Sequence, residues 1–96
     1  MLNSKQKSAL RSMGQTLRAV VQVGKEGMSV NLINSLDDSL EAHELVKISV
    51  LKACPTNVNE IALDLSSSTH SDIVQIIGKT ILLFRPSDKQ KIQLPR

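Results

Sequence analysis

The stretch from Val20 to Ser29 constrains this chain more than any other, because strand-forming residues run directly into Gly24-Lys25-Glu26-Gly27 and then into Ser29, a residue type that caps helices. Two glycines in a Gly-x-x-Gly spacing let the backbone turn through conformations that side chains disfavour and let a ligand approach closely. A helix starting at Ser29 presents unpaired N–H groups and the positive end of its dipole to whatever occupies the loop. Lys25 adds a full charge at the tip. The pattern predicts a phosphate cradle built from Gly24, Lys25 and Gly27. The plainer alternative is a tight strand-to-helix turn.

Periodicity supplies the surrounding elements. Leu10, Met13 and Leu17 recur at helical spacing, which predicts a helix from Lys5 to Leu17 capped by Ser4. Lys7, Arg11, Gly14 and Arg18 share one sector of that helix, apart from the apolar stripe, and form a basic ridge. Gly14 suits either a close backbone contact or a fraying helix end. Ala19 to Val23 is the first strand. Leu32, Ile33, Leu36 and Leu40 mark a second helix from Val30 to His43, with Asp37, Asp38 and Glu41 on its polar side. Leu45 to Leu51 alternates as a half-buried strand. Asn57 then caps a helix with Glu60 three residues on, and Val58, Ile61, Ala62 and Leu65 are its buried stripe. Ser66-Ser67-Ser68-Thr69 is expected to unwind it. Ile73 to Ile77 and Thr80 to Arg85 flank Gly78-Lys79, a two-residue hairpin turn that exposes Lys79.

The order α-β-α-β-α-β-β predicts a two-layer α/β sandwich with a mixed four-stranded sheet and right-handed crossovers. A chain of 96 residues with 41% hydrophobic content fits one domain with one core. After Pro86 the sequence is polar, so Ser87 to Arg96 is expected to be a loosely held tail. No apolar run is long enough to span a bilayer and the first ten residues lack the apolar core of a signal peptide, so a cytoplasmic protein is expected. Cys54 has no second cysteine to pair with and no metal-ligand spacing to His43 or His70, and reads as a reduced, inert thiol. No cofactor or metal is expected.

The formal net charge of +3 conceals an uneven distribution. Residues 1–27 carry Lys5, Lys7, Arg11, Arg18 and Lys25 against Glu26, and residues 79–96 carry five basic residues against Asp88. Between them, Lys47 and Lys52 face seven acidic residues. A molecule that is basic on one side and acidic on the other follows if the two chain ends meet, and such a surface suits a polyanion.

Four separated segments resemble one known family. Ser4-Lys5-Gln6-Lys7 with Leu10-Arg11-Ser12, Val21 to Gly27, Leu40 to Lys47, and Val74 to Thr80 with Leu83-Phe84-Arg85-Pro86 are similar, in this order, to the CRM (chloroplast RNA splicing and ribosome maturation) domain. More closely, the chain resembles the stand-alone bacterial YhbY-like members. The resemblance covers Leu2 to Pro95. It implies a fold like the C-terminal domain of translation initiation factor three, RNA binding through the glycine loop and the adjoining basic surface, and association with precursors of the large ribosomal subunit. Glu26 departs from a purely cationic loop and must either point away from a bound phosphate or weaken the site. Phe84 stands where family members often carry tyrosine.

The residues limit the mechanism. Single-strand readers stack bases on several aromatics, whereas this chain has one Phe and no Trp or Tyr. Phe84 lies in an apolar strand and reads as core. Recognition of RNA backbone and shape is expected instead, with Lys25 pairing with a phosphate in the Gly24 to Gly27 cradle and Lys7, Arg11, Arg18, Lys79 and Arg85 tracking its neighbours. The protein is expected to act as a monomer, without a small-molecule substrate. Catalysis is disfavoured, since His43 beside Glu41 and Glu44 has no nucleophile in a recognisable motif. The alternative is a protein-binding adaptor that uses the acidic second helix.

Overall fold

Seven elements follow in the expected order: α1 (Ser4–Gly14), β1 (Ala19–Val23), α2 (Val30–His43), β2 (Leu45–Val50), α3 (Val58–Thr69), β3 (Asp72–Ile77) and β4 (Thr80–Phe84). This computed structural model describes residues 2–95. The strands form a single sheet in the order β1-β2-β4-β3, with β1 parallel to β2 and β4 antiparallel to both its neighbours. The closing hairpin thus folds β4 into the gap left by the α3 crossover, and β1, β2 and β3 all point the same way. Gly78, with φ +56°, supplies the left-handed conformation that the tight Gly78-Lys79 turn requires.

Alternation along β2 divides the interior. Val46, Ile48 and Val50 point toward α2 and α3, where they join Val21, Val23, Ile81, Leu83, Leu36, Leu40, Ile61 and Leu65. Leu45 points the other way and packs with Val74, Leu82, Phe84 and Leu10 of α1. α1 therefore forms a third layer on the face opposite α2 and α3, and the expected two-layer sandwich is an α/β/α arrangement with the same mixed sheet.

α1 differs from expectation at both ends. Asn3, not Ser4, is the N-cap: its side chain accepts from the Gln6 amide at 2.8 Å while the Gln6 side chain accepts from the Asn3 amide at 3.1 Å. The helix stops at Gly14, which is buried against the sheet rather than part of an outward ridge. A Cβ there would lie 2.5 Å from Leu82 Cδ2, so glycine is what lets the helix end approach β4. Leu10 and Gly14 are the buried residues of this helix. Leu10→Ala alone would cost about 2–5 kcal/mol.

α3 also outlasts its prediction, running through the serines to Thr69. Ser66 Oγ donates to the Leu63 carbonyl at 3.0 Å and Thr69 Oγ1 to the Leu65 carbonyl at 2.7 Å, so these hydroxyls bond back into the helix instead of competing with it. Burial of Leu65 and Thr69 fixes that turn against the sheet. At the other end, the Asn57 side chain accepts from the Asn59 amide at 2.7 Å rather than forming a box with Glu60.

The segment expected to be a loose tail is docked. Ile92 and Leu94 pack against the Leu10 core, and Gln6 Nε2 donates to the Pro95 carbonyl at 3.1 Å; Arg96 lies outside the described residues. Glu44 holds this segment. It is fully buried at the C-cap of α2 with φ +67°, and its carboxylate accepts from Ser87 N (2.9 Å), Ser87 Oγ (2.5 Å), Lys91 N (3.0 Å) and Ile92 N (2.8 Å). Burial alone would push this carboxyl up, but the Ser87 hydroxyl and the three amides overcome it and hold the pKa at about 2, down from 4.5.

A carboxylate whose folded pKa lies below its unfolded value contributes stability that is complete above the unfolded pKa and is lost as pH falls toward the folded one. Acid unfolding should therefore draw on Glu44 between about pH 4.5 and pH 2. Glu44→Gln turns one acceptor into a donor facing N–H groups and should cost about 1–3 kcal/mol at pH 7. Urea titrations at pH 7 and pH 3 check this: the wild-type advantage over the variant should shrink at the lower pH.

Candidate nucleic-acid interface

The shared direction of β1, β2 and β3 brings three loops to one edge of the sheet, beyond the strands' C-terminal ends, where open α/β sheets bind ligands. These are the Gly24 to Gly27 loop after β1, residues 51–57 after β2, and the Gly78-Lys79 turn after β3. Backbone bonds tie them together. Leu51 N donates to the Val23 carbonyl at 2.8 Å and Val50 N to the Lys79 carbonyl at 2.7 Å. Lys25, Lys52 and Lys79 are all exposed on this edge. Lys52 is absent from the sequence-based set because it lies in the acidic middle of the chain. Only the sheet register moves it beside the glycine loop.

Within the loop the two glycines have different duties. Gly27 N donates to the Gly24 carbonyl at 3.0 Å, closing a turn, and Gly27 has φ +64°. Gly24 has no positive φ, and a Cβ there would meet only Leu51 at an ordinary 3.9 Å. Gly27 is therefore needed for the turn itself, while Gly24 keeps the surface low where a ligand would approach. Ser29 caps α2 by accepting from the Leu32 amide at 3.1 Å, which leaves the Val30 and Asn31 amides without intrahelical partners at the loop. The N-terminus of α3 reaches the same edge, with Thr56 Oγ1 3.9 Å from the place of a Gly27 Cβ. Two helix dipoles thus add positive potential to three lysines. Glu26 is exposed beside Lys25.

The remaining predicted cations are distributed elsewhere. Arg11 is exposed in the last turn of α1 and Lys7 is half-buried in its first turn, both on the layer opposite the acidic helices. Arg18 is not helical. It precedes β1, so the length of that strand, roughly 16 Å at about 3.3 Å per residue, separates it from the glycine loop. Arg85 is a correction of another kind: its guanidinium donates to Asp37 Oδ1 (2.5 Å), the Thr69 carbonyl (2.8 Å), the Asp37 carbonyl (3.1 Å) and Glu41 Oε2 (3.3 Å). With its side chain 17% exposed, it joins α2 to α3 on the acidic side and is not open to phosphate.

The two faces of the sheet therefore differ in sign. Asp37, Asp38 and Glu41 on α2 and Glu60 and Asp64 on α3 lie on one side, and Lys5, Lys7 and Arg11 of α1 lie on the other. Phe84 is buried, as its apolar strand predicts. Cys54 is half-buried, with Sγ 3.6 Å from the Thr56 carbonyl. Among the described residues, no three His, Cys, Asp or Glu side chains cluster as a metal site, and no helix is long and apolar enough to cross a membrane.

The family described as the CRS1 / YhbY (CRM) domain matches residues 2–85. The chain belongs to the CRM domain family. Among its relatives is "Probable RNA-binding protein YqeI" of Bacillus subtilis, 44% identical over 99% of this chain and all of that one. An "RNA-binding protein" of Haemophilus influenzae is 35% identical over 99% of this chain and 96% of its own. The solution structure of the hypothetical protein SAV1595 from Staphylococcus aureus superposes with a TM-score of 0.83 at 41% identity, covering 99% of this chain and all of that one. The CRM fold is thus shared across chains of nearly equal length, and the glycine loop, α1 and the closing hairpin all fall in the matched span.

Within this CRM domain, the split between the glycines is testable by stability alone. Gly27→Ala forces a side chain into the left-handed region and should cost about 1–2 kcal/mol, whereas Gly24→Ala should stay within about 0.5 kcal/mol of wild type. Thermal denaturation of the two variants measures both.

Proposed function

We propose that this protein binds structured RNA through its Gly-x-x-Gly loop and the lysine-bearing sheet edge around it, and that the RNA is ribosomal RNA in precursors of the large subunit. The observation that carries the reading is the convergence of Lys25, Lys52, Lys79 and two helix N-termini around a loop kept low by Gly24. Phosphate groups match that chemistry, since amides and ammonium groups both donate to anionic oxygens. The RNA-binding names of the relatives support the substrate class. The ribosomal assignment rests on the resemblance to YhbY-like proteins. In this reading the protein works as a cytoplasmic monomer without catalysis, and α1 extends the contact through Arg11 and Lys7.

The adaptor alternative loses ground on one observation. Asp37 and Glu41, which a basic partner would need, are already engaged by Arg85. Crosslinking in cells followed by sequencing of the bound RNA tests the proposal directly, with large-subunit rRNA expected as the enriched species. Enrichment of messenger or transfer RNA alone would remove the ribosomal part of the reading.

In vitro, three to five phosphate contacts predict a slope of log K against log salt of about −3 to −4.5. Lys25→Ala, Lys79→Glu and Arg11→Glu should each weaken binding while leaving the melting temperature nearly unchanged, because exposed charges contribute little to folding. Lys25→Ala should cost roughly tenfold or less. Arg85→Met should behave in the opposite way, lowering stability by about 1–3 kcal/mol with little direct effect on the RNA contact. A flat salt response would count against a phosphate-dominated interface.

A further inference from the structure

The half of the sheet that α1 leaves uncovered contains a groove of about 190 Å³, lined by Gly14, Gln15, Lys47, Gln75, Ile77, Thr80 and Leu82. It begins where α1 stops and ends at the residues flanking the Gly78-Lys79 turn, so it opens onto the lysine-bearing edge. Three features of its lining are costly for folding alone. Lys47 sits in the central strand β2, half-buried, and among the described residues no carboxylate lies within ion-pair distance of it. A half-buried cation without a counter-charge is what an incoming anion would compensate. Ile77, at the groove's outer end, is 62% exposed although it is a large apolar side chain.

The third feature is the register of β3. Simple alternation would place Val74 and Gln75 on opposite faces, sending one of them toward α2 and α3. A bulge between Ile73 and Gln75 shifts the pairing so that Gln75 stands opposite Leu82, and Val74 and Gln75 both serve the α1 side. Bulges re-aim side chains in this way next to functional sites. The amides of Gln15 and Gln75 and the hydroxyl of Thr80 have no side-chain hydrogen bonds within the protein among the described residues, so they face the groove with unused donors and acceptors.

We infer that this groove takes one unpaired nucleotide of the bound RNA, with Lys47 pairing with its phosphate, Gln15, Gln75 and Thr80 bonding the edge of its base, and Ile77 and Leu82 lying against the base face. The inference rests on the RNA-binding reading above and adds to it a source of base selectivity. The scarcity of aromatic residues rules out stacking platforms but not edge recognition, which needs only paired donors and acceptors such as a glutamine amide offers to adenine. The groove is smaller than the roughly 300 Å³ at which sites for drug-sized ligands begin, which suits a single planar base better than a helix or a peptide.

The test uses the full chain and hairpin RNAs with one fixed stem and loops of six A, C, G or U, with binding followed by fluorescence anisotropy at constant salt. Wild type should prefer one loop, adenine foremost, by about fivefold or more over the others. Gln75→Leu, which keeps strand propensity, should erase that preference with little change in affinity for a blunt duplex of the same stem. Lys47→Met should weaken the loop hairpins toward the duplex level. Equal binding of all four loops by wild type, or an intact preference in Gln75→Leu, would overturn the inference. Lys25→Ala separates the two readings: if it weakens every RNA while Lys47→Met and Gln75→Leu are silent, the groove fails and the RNA interface stands. If all three variants are silent, the interface itself fails. Binding of a labelled acidic peptide that Lys47→Met abolishes, with all four loop hairpins bound equally, would assign the groove to a protein and likewise overturn the inference.

Discussion

The structure depends on the two-sided pairing of β2. This strand lies between a parallel neighbour and an antiparallel one, and its alternating residues feed both interiors: Val46, Ile48 and Val50 on the α2 and α3 side, Leu45 on the α1 side. Parallel pairing with β1 requires a crossover, which α2 provides, and antiparallel pairing with β4 requires that strand to return between β2 and β3. Both requirements send the connecting loops after β1, β2 and β3 to the same edge. The basic edge is thus a consequence of strand direction. A slip of one residue in β2 would move Lys47 into the main core and Ile48 out of it.

Much of this was legible because it is local. The bounds of β1 and α2 follow from β-branched residues, a serine cap and a three-four apolar spacing, all of which act within one or two turns of chain. The misread features depend on contacts distant in sequence. Gly14 looks like a helix breaker on a basic sector until Leu82 fills the space where its side chain would be. The serine run looks like a helix end until Leu65 and Thr69 are seen to be buried beneath it. Lys52 could be placed beside Gly24 only through the β1 and β2 register, which no periodicity reveals.

The charged residues show the same division more sharply. Glu44 and Arg85 look like surface charges in the sequence, and both are interior fixtures. Glu44 occupies a left-handed C-cap position where glycine would be easier, and the strain is offset by a carboxylate that satisfies four donors of the following chain. Arg85 bonds two helices through both carboxylate and carbonyl oxygens, using the planar fork that lysine lacks. Each would be a poor RNA contact for the reason that makes it a good structural one, since its partners are already in place. Among the described residues, the cations without an ion pair include those on the loop edge, those on α1 and Lys47 of β2.

Pairing Arg85 with Asp37 and Glu41 also shapes the field of the whole molecule. It neutralises part of the acidic layer at the end of the sheet opposite the glycine loop, while the lysines at the loop edge have only Glu26 near them in sequence. A polyanion approaching at low salt therefore meets attraction on the α1 side and the loop edge and repulsion across α2 and α3. That asymmetry selects an orientation before any contact forms. On the proposed RNA-binding reading, that orientation turns the Gly24 to Gly27 loop toward the phosphate chain and the uncovered half of the sheet with Lys47 toward the same partner. One approach can then serve both the cradle and the groove, because β1, β2 and β3 end together and α1 stops at Gly14, short of covering them.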